Sequence, residues 1–360
     1  MNSKKIRSFP FLIQKEKLMS TREEMIRDKQ VFDATIGKLS VEGLPEQALI
    51  NILYGLSPYH TTVLPQVNDD DKTYVFFTRP DMNLGESNVK RDRKSIGILK
   101  ADNSIQKYAR LMMDQLANQS EDSPVLDKHN PFIPIMSNTL ETLSGFPDIV
   151  MESWLSKTGI RKDQFGYADG YDKIYYQFDL DATFTNVIDE PVPHLVSTWM
   201  RYMTNVRDGK FLPHRHNYMA RRIDYQTAIW VIVTNKNKRI KKIAKTIGYP
   251  IADPQGRFFN YSRAESKIST GSKINTRFKC FGVDYNDPIL LVEFNALMIA
   301  SHPKIKDMVI NGGTDMVEVP DTFKSLFNYR SYPFIDLRYN TLEMIVDKDN
   351  IIIKDIPNDK

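Results

Sequence analysis

The residues with chemical potential in this chain are few and scattered. His214-Arg-His216 could put two imidazoles on one side of a strand, because alternate strand residues share a face. A zinc site needs one or two further ligands, and nothing nearby supplies them at a recognisable spacing. The pair fits two surface histidines ahead of a strand. Asp179 and Asp181 share a strand face by the same rule and could hold a cation or act as acid and base. Solvated residues on the outer face of a strand fit them better. Asp69-Asp-Asp71 reads as a polar turn. Cys280 is the single cysteine, so no internal disulfide or thiolate zinc site is expected. Its place in a strand pattern fits a buried structural thiol rather than a nucleophile. Asn311-Gly-Gly-Thr314 lacks the Lys and Ser/Thr of a phosphate loop. Neither a Gly-x-Ser-x-Gly elbow nor a His-Glu-x-x-His pair occurs. The expectation is a chain with no catalytic residues, no cofactor and no metal.

One charged run remains. Lys236-Asn-Lys238-Arg239-Ile-Lys241-Lys242-Ile-Ala-Lys245 carries six cations in ten residues, enough to grip phosphates. Its isoleucines are spaced for packing, and only Phe258 and Phe259 lie near enough to stack on bases. A solvated or protein-facing hairpin fits this pattern better than a nucleic-acid surface. Within a multi-subunit particle it could dock on an acidic rim of a neighbour. A formal charge of +4 over 360 residues is small for a dedicated nucleic-acid binder.

The elements that would position these residues read as a soluble globular protein with room for one large core or several smaller ones. No run of about eighteen apolar residues occurs, so no membrane span is expected. Phe9 to Ile13 is too short for a signal-peptide core and meets Lys15, Glu16 and Lys17, which points to synthesis in a cytoplasm. Thr21-Arg-Glu-Glu24 is a capping box ahead of Met25, Phe32 and Ile36, and Pro45 opens a second helix over 46–54. Tyr74 to Arg79 reads as a strand stopped by Pro80. Residues 85–95 read as loop, and 105–117 as helix. Residues 120–146, rich in Pro, Ser and Asn, read as a long connector.

Period-two and helical patterns then alternate. Phe178, Leu180, Ala182 and Phe184 mark a half-buried strand over 175–186. Pro193 opens a helix whose apolar face holds Leu195, Val196, Trp199, Met203 and Val206, with Gly209 ending it. Residues 223–233, including Trp230, become apolar on both faces, as in a sheet covered on both sides. A turn at 235–238 leads to a returning strand with Ile240, Ile243 and Ile247, and 274–285 forms the closing strand. Asp287 caps a helix opened by Pro288. At the C-terminal end, 342–346 and 351–353 read as a hairpin around 347–350.

The order within residues 174–285 resembles the tail-tube fold of long-tailed bacteriophages, including baseplate proteins that start the tube. In that family a strand enters a helix carrying a Trp, here Trp199 in Ser197-Thr-Trp-Met-Arg-Tyr202. The chain returns as a strand, turns in a hairpin and passes a Gly-aromatic-Pro turn, here Gly248-Tyr249-Pro250, before a final strand. Tyr74 to Leu84 is similar to segments of virion proteins of large phages. The resemblance implies an α+β fold: a tail-tube-like antiparallel sheet or barrel with a packed helix, plus N-terminal helices and C-terminal insertions. The expected division is an N-terminal helical arm over 1–68, a β domain over 69–300 with a long insertion at 85–173, and an extension with a β-hairpin over 301–360. Trp199, Trp230, Gly248, Tyr249 and Pro250 become the packing and assembly candidates. Lys236, Lys238, Arg239, Lys241, Lys242 and Lys245 become a partner-facing hairpin.

Such a protein would be a virion subunit without enzymatic activity. Its copies would join into a sixfold ring at the tube end, as baseplate initiator or hub-proximal ring. Its partners would be further copies and other tail, baseplate or neck proteins, with DNA only passing through the lumen and no membrane contact. A neck, collar or tail-terminator ring is the alternative within the virion. A nucleic-acid-binding protein using residues 236–245 is the alternative outside it.

Overall fold

Strands with one apolar and one charged face need a covered side, and their assembly dominates the architecture. The computed structural model describes residues 71–99, 104–120, 126–170, 176–253, 255–259, 273–319 and 331–348. The helices expected in 1–68 lie outside these residues. In chain order the elements are β1 (Lys72–Phe77), α1 (Glu86–Val89), α2 (Ile105–Met113), α3 (Gln115–Ser120), α4 (Pro134–Thr139) and β2 (Leu140–Ser144). Next come β3 (Glu152–Leu155), β4 (Gly166–Gly170), β5 (Gln177–Thr185), α5 (Pro191–Arg207), α6 (Arg215–Met219), β6 (Thr227–Thr234) and β7 (Ile240–Pro250). The remainder are α7 (Gln255–Phe258), β8 (Lys273–Tyr285), α8 (Ile289–Ser301), α9 (Pro303–Asn311), β9 (Met316–Glu318), β10 (Tyr332–Asp336) and β11 (Thr341–Asp347). The fold is α+β.

Six antiparallel strands form the main sheet in the order β1-β6-β7-β8-β5-β2. It curls into a nearly closed barrel, and its two edge strands, β1 and β2, line opposite sides of one cavity. One face carries Phe77, Leu180, Phe184, Ile229, Phe278 and Cys280, all buried against α5 and α2. Trp199 of α5 is fully buried there, and its Nε1–H donates to the Tyr225 carbonyl at 2.8 Å. That bond satisfies the one polar atom of a large apolar side chain and fixes α5 against the entry to β6.

The other face is divided. Over β1, β6 and the start of β7 it is apolar: Phe76, Trp230, Ile232, Ile240 and Ile243 are buried beneath α8 and a second sheet ordered β10-β11-β9. Over β8 and β5 it is charged, with Asp179 paired to Lys279 and Asp181 to Arg277, each at 2.8 Å. These directly opposed cross-strand pairs give the acidic couple a place in the fold as the solvated outer face.

Several segments depart from the sequence expectation. Residues 120–146 are not only a connector, since they supply α4 and the edge strand β2. The helix expected over 105–117 breaks at Asp114, whose backbone is extended. The Asp114 carboxylate accepts from the backbone N–H of Leu84 at 2.8 Å and of Ala117 at 2.9 Å, so the break is held by two hydrogen bonds. Residues 86–89 form the short α1 rather than loop. Helix α5 begins at Pro191, two residues earlier than expected. The strand expected from Ile223 begins at Thr227.

Gly248-Tyr249-Pro250 is not a turn. These residues are the last three of β7 and pair with Cys280, Lys279 and Phe278 of β8. A C-terminal hairpin does exist, but its strands are β10 and β11, and β11 pairs with β9 on its other side. Residues 351–353 lie outside the described residues.

Arg79 ties the end of β1 to the segment before α4. Its Nη2 donates to the Asp127 carbonyl at 2.9 Å and its Nε to the Phe132 carbonyl at 3.2 Å. Burial brings its pKa down to about 10, against the opposing pull of Asp127 and Tyr332.

Candidate assembly surface

The main sheet ends at β1, whose last residues also bond to Pro131 and Ile133, and at β2, and between β2 and β5 the chain makes an excursion. Gly145 begins it with φ +109, and a Cβ there would lie 2.3 Å from the Asp179 carbonyl oxygen. Only glycine leaves β2 by this route. Phe146 then packs its ring near Phe178 and Tyr285, with centroids 6.3 and 6.5 Å away. The Tyr285 hydroxyl donates to the Pro147 carbonyl at 2.7 Å, so the root of the excursion is clamped.

Beyond that root, β3 and β4 pair with each other and, among the described residues, with no other strand. Trp154 and Tyr167 face each other across this arm, with rings stacked at 6.0 Å. The tip is ordered by its own bonds: Ser156 N–H donates to the Phe165 carbonyl at 2.8 Å and Gly159 N–H to the Asp163 carbonyl at 3.0 Å. Yet Trp154 is 55% exposed, Leu155 60%, Phe165 67% and Tyr167 64%. Ile149, Val150, Met151 and Ile160 are exposed as well. A two-stranded ribbon is marginal alone in water, and contiguous exposed aromatic surface marks an interaction site. The sequence carried a signal for it: Trp154, Phe165 and Tyr167 bracket a polar stretch holding Gly159.

The second feature is the seam between the edge strands, a cavity of about 610 Å³. Tyr74 and Phe76 of β1, Leu140 and Thr142 of β2, and Phe132 and Met344 contribute to its walls.

The residues singled out from the sequence fall elsewhere. Trp199 and Trp230 are both fully buried but on opposite faces of the sheet, so they form no common site. Tyr249 contacts Tyr225 and Phe281, with ring centroids at 5.6 and 5.7 Å. Gly248 and Pro250 are buried strand residues. In the basic hairpin, Lys238 pairs with Glu318, Lys241 with Asp71 at 2.6 Å, and Lys245 with Glu293. Lys245 Nζ also lies 5.1 Å from the Trp230 ring centroid. Arg239 bridges to Thr341 through its backbone. Lys236 and Lys242 are exposed. Much of the charge therefore holds β7 to β1, α8 and the small sheet.

His214 and His216 do not flank a strand: His214 caps α6 and His216 lies within it, their rings stacked at 5.5 Å. His214 Nε2 lies 3.4 Å from the buried Asp114 carboxylate and 3.1 Å from the Met82 carbonyl, and His216 pairs with Asp81. Nearby, the buried Tyr202 hydroxyl donates to Asp224. Burial alone would lower the His214 pKa, but the bond and attraction to Asp114, with Asp81 behind it, hold it above the ordinary value. Burial pushes Asp224 up. Among the described residues no group of three or more His, Cys, Asp or Glu side chains is arranged to hold a metal ion. Burial pushes the Cys280 thiol up to about 12. No described helix is long and apolar enough to cross a membrane.

A nearly closed antiparallel barrel with a packed helix, and a cluster of exposed apolar residues on the β3–β4 arm, fits a structural subunit that meets other subunits. The family model described as "Putative phage tail tube protein" matches residues 18–355, and the chain belongs to this family. It is thus a bacteriophage tail protein and a virion component that assembles with other tail proteins. No curated protein matches the chain.

Proposed function

We propose that the chain is a ring-forming structural subunit of the tail tube, without enzymatic activity. Copies made in the host cytoplasm close into a homo-oligomeric ring, sixfold by the resemblance, whose lumen passes DNA without reading its sequence. Closure by repeated rotation needs a heterologous contact, one patch of a subunit meeting a different patch of the next. The observation that carries this reading is the β3–β4 arm, whose apolar residues stay exposed and find no cover among the described residues.

A position at the tube end, as baseplate initiator or hub-proximal ring, was expected from the bulk outside residues 174–285. The family match spans residues 18–355, so bulk alone no longer separates a terminal ring from the tube body. The end position stays a proposal for imaging of the particle to decide.

The test is negative-stain microscopy of purified protein alongside a Trp154→Ser/Phe165→Ser/Tyr167→Ser variant. Rings or tubes from the parent and a folded monomer from the variant are expected. A parent that stays monomeric at high concentration, and also when mixed with tail proteins of the same virion, overturns the reading.

A further inference from the structure

The arm and the seam have complementary deficits. Among the described residues β2 is bonded to β5 alone, and β1 is bonded to β6 on one side and, at its end, to the segment before α4 on the other. There the Arg79 N–H donates to the Pro131 carbonyl and the Ile133 N–H to the Phe77 carbonyl, each at 2.8 Å, which leaves the earlier part of β1 open. Where they converge, their outer edges line the same cavity without pairing to each other. Edges of this kind are templates for a further strand. The arm is the opposite case: a short two-stranded sheet with exposed apolar side chains and, among the described residues, no further strand on its edges and no second layer. Its exposure rules out its own chain's seam as the seat, because Trp154, Phe165 and Tyr167 would then be covered.

Area supports a second copy as the occupant. Aromatic side chains bury about 150–250 Å² each, so Trp154, Leu155, Phe165 and Tyr167 have on the order of 500 Å² still to bury. Adding Ile149, Val150 and Met151 brings the patch toward the roughly 800 Å² per partner of a stable specific interface. The seam offers partly exposed apolar side chains in Tyr74, Leu140, Leu143, Phe146 and Met344. Arm and seam are different surfaces of one chain, so their contact is heterologous and propagates from copy to copy.

We propose that the β3–β4 arm of one copy seats in the β1/β2 seam of the next. The proposal rests on the ring-forming reading and adds which surfaces meet. Seating supplies the missing strand partners of the seam and the missing layer of the arm at once.

Cysteine crosslinking tests it. Cys280 is fully buried with a raised thiol pKa, so the background is silent. Ser153→Cys and Ala168→Cys mark exposed arm positions, and Asn138→Cys and Thr142→Cys mark exposed positions at the seam. Each chain carries one added cysteine, and an arm variant is mixed with a seam variant, assembled, imaged and mildly oxidised. Expected are rings or tubes together with reducible dimers, several-fold more abundant in the mixture than in either variant alone. Assemblies with no dimer for any of the four pairings overturn the seam as the seat while sparing the ring-forming reading. Dimers equally abundant in the single-variant samples overturn it too. If no mixture assembles although the parent does, wild-type chains doped with each variant repeat the same readout. Failure of the parent itself to assemble counts against the reading beneath.

Discussion

Gly248 lies directly across from Cys280 on neighbouring strands, so close that a Cβ on residue 248 would sit 2.7 Å from the Cys280 sulfur. The same Cβ would lie 2.6 Å from the Lys279 carbonyl oxygen, which cannot swing away. The glycine is there for close approach of β7 and β8, not for a turn. Gly248→Ala is expected to cost about 1–3 kcal/mol, the usual range for overpacking. Adding Cys280→Ala should not restore stability, because the carbonyl clash persists. Chemical denaturation of the single and double variants checks this, and full rescue by the second change would overturn it.

The basic hairpin gives a second test. Lys238, Lys241 and Lys245 are engaged with Glu318, Asp71 and Glu293. Partly exposed pairs contribute about 0–1 kcal/mol each, so the triple Lys→Gln variant should lose on the order of 1–2 kcal/mol. Its retention on DNA should keep the salt dependence of the parent. A hairpin that gripped phosphates would lose close to one unit of log–log salt slope per neutralised contact. A drop of two to three units would revive the nucleic-acid reading.

Arg79 is the third. Its planar guanidinium reaches two carbonyls, those of Asp127 and Phe132, from a buried position. Lysine offers a point charge without the fork and would leave one carbonyl unpaired. Arg79→Lys should therefore cost about 1–3 kcal/mol, measured as a shift in the denaturation midpoint. Because the clamp holds the segment leading to α4, hydrogen exchange should rise across 127–139 before it rises in β7 or β8. Uniform acceleration would show that no local clamp exists.

Much of the main sheet is legible in the sequence because β5 and β8 present one apolar and one charged face, and period two survives in both. The helix α5 is legible because Trp199 and its neighbours recur at helical spacing. β2 is hidden for a physical reason. It is an edge strand with a register shift between Leu140 and Thr142, and only Leu140 and Leu143 are partly covered, so its pattern does not alternate. The arm escapes for another reason: its apolar residues have no cover among the described residues, so no burial pattern announces them. The glycine at 248 misled because a Gly-aromatic-Pro string is also turn chemistry. Its true cause, the close approach of β8 at the Lys279 carbonyl and Cys280, lies thirty-one and thirty-two positions away in sequence.

The buried polar cluster around His214 makes stability depend on pH. His214 faces the Asp114 carboxylate, with Asp81 and Asp224 nearby and the His216 ring stacked on it. Its folded pKa lies above the ordinary value, so the folded state binds the proton more tightly than the unfolded chain. The stability from this ionised contact is fully present below the unfolded pKa of about 6.5 and is lost as pH rises through the folded pKa. His214→Gln keeps a hydrogen-bonding side chain but cannot carry the charge. The parent should therefore exceed the variant in melting temperature most clearly near pH 5.5, with the gap narrowing above neutrality. Asp114→Asn should flatten the same dependence, because it removes the leading attraction that raises His214. A gap that stays constant across pH would mean that His214 acts through packing and its Met82 bond alone.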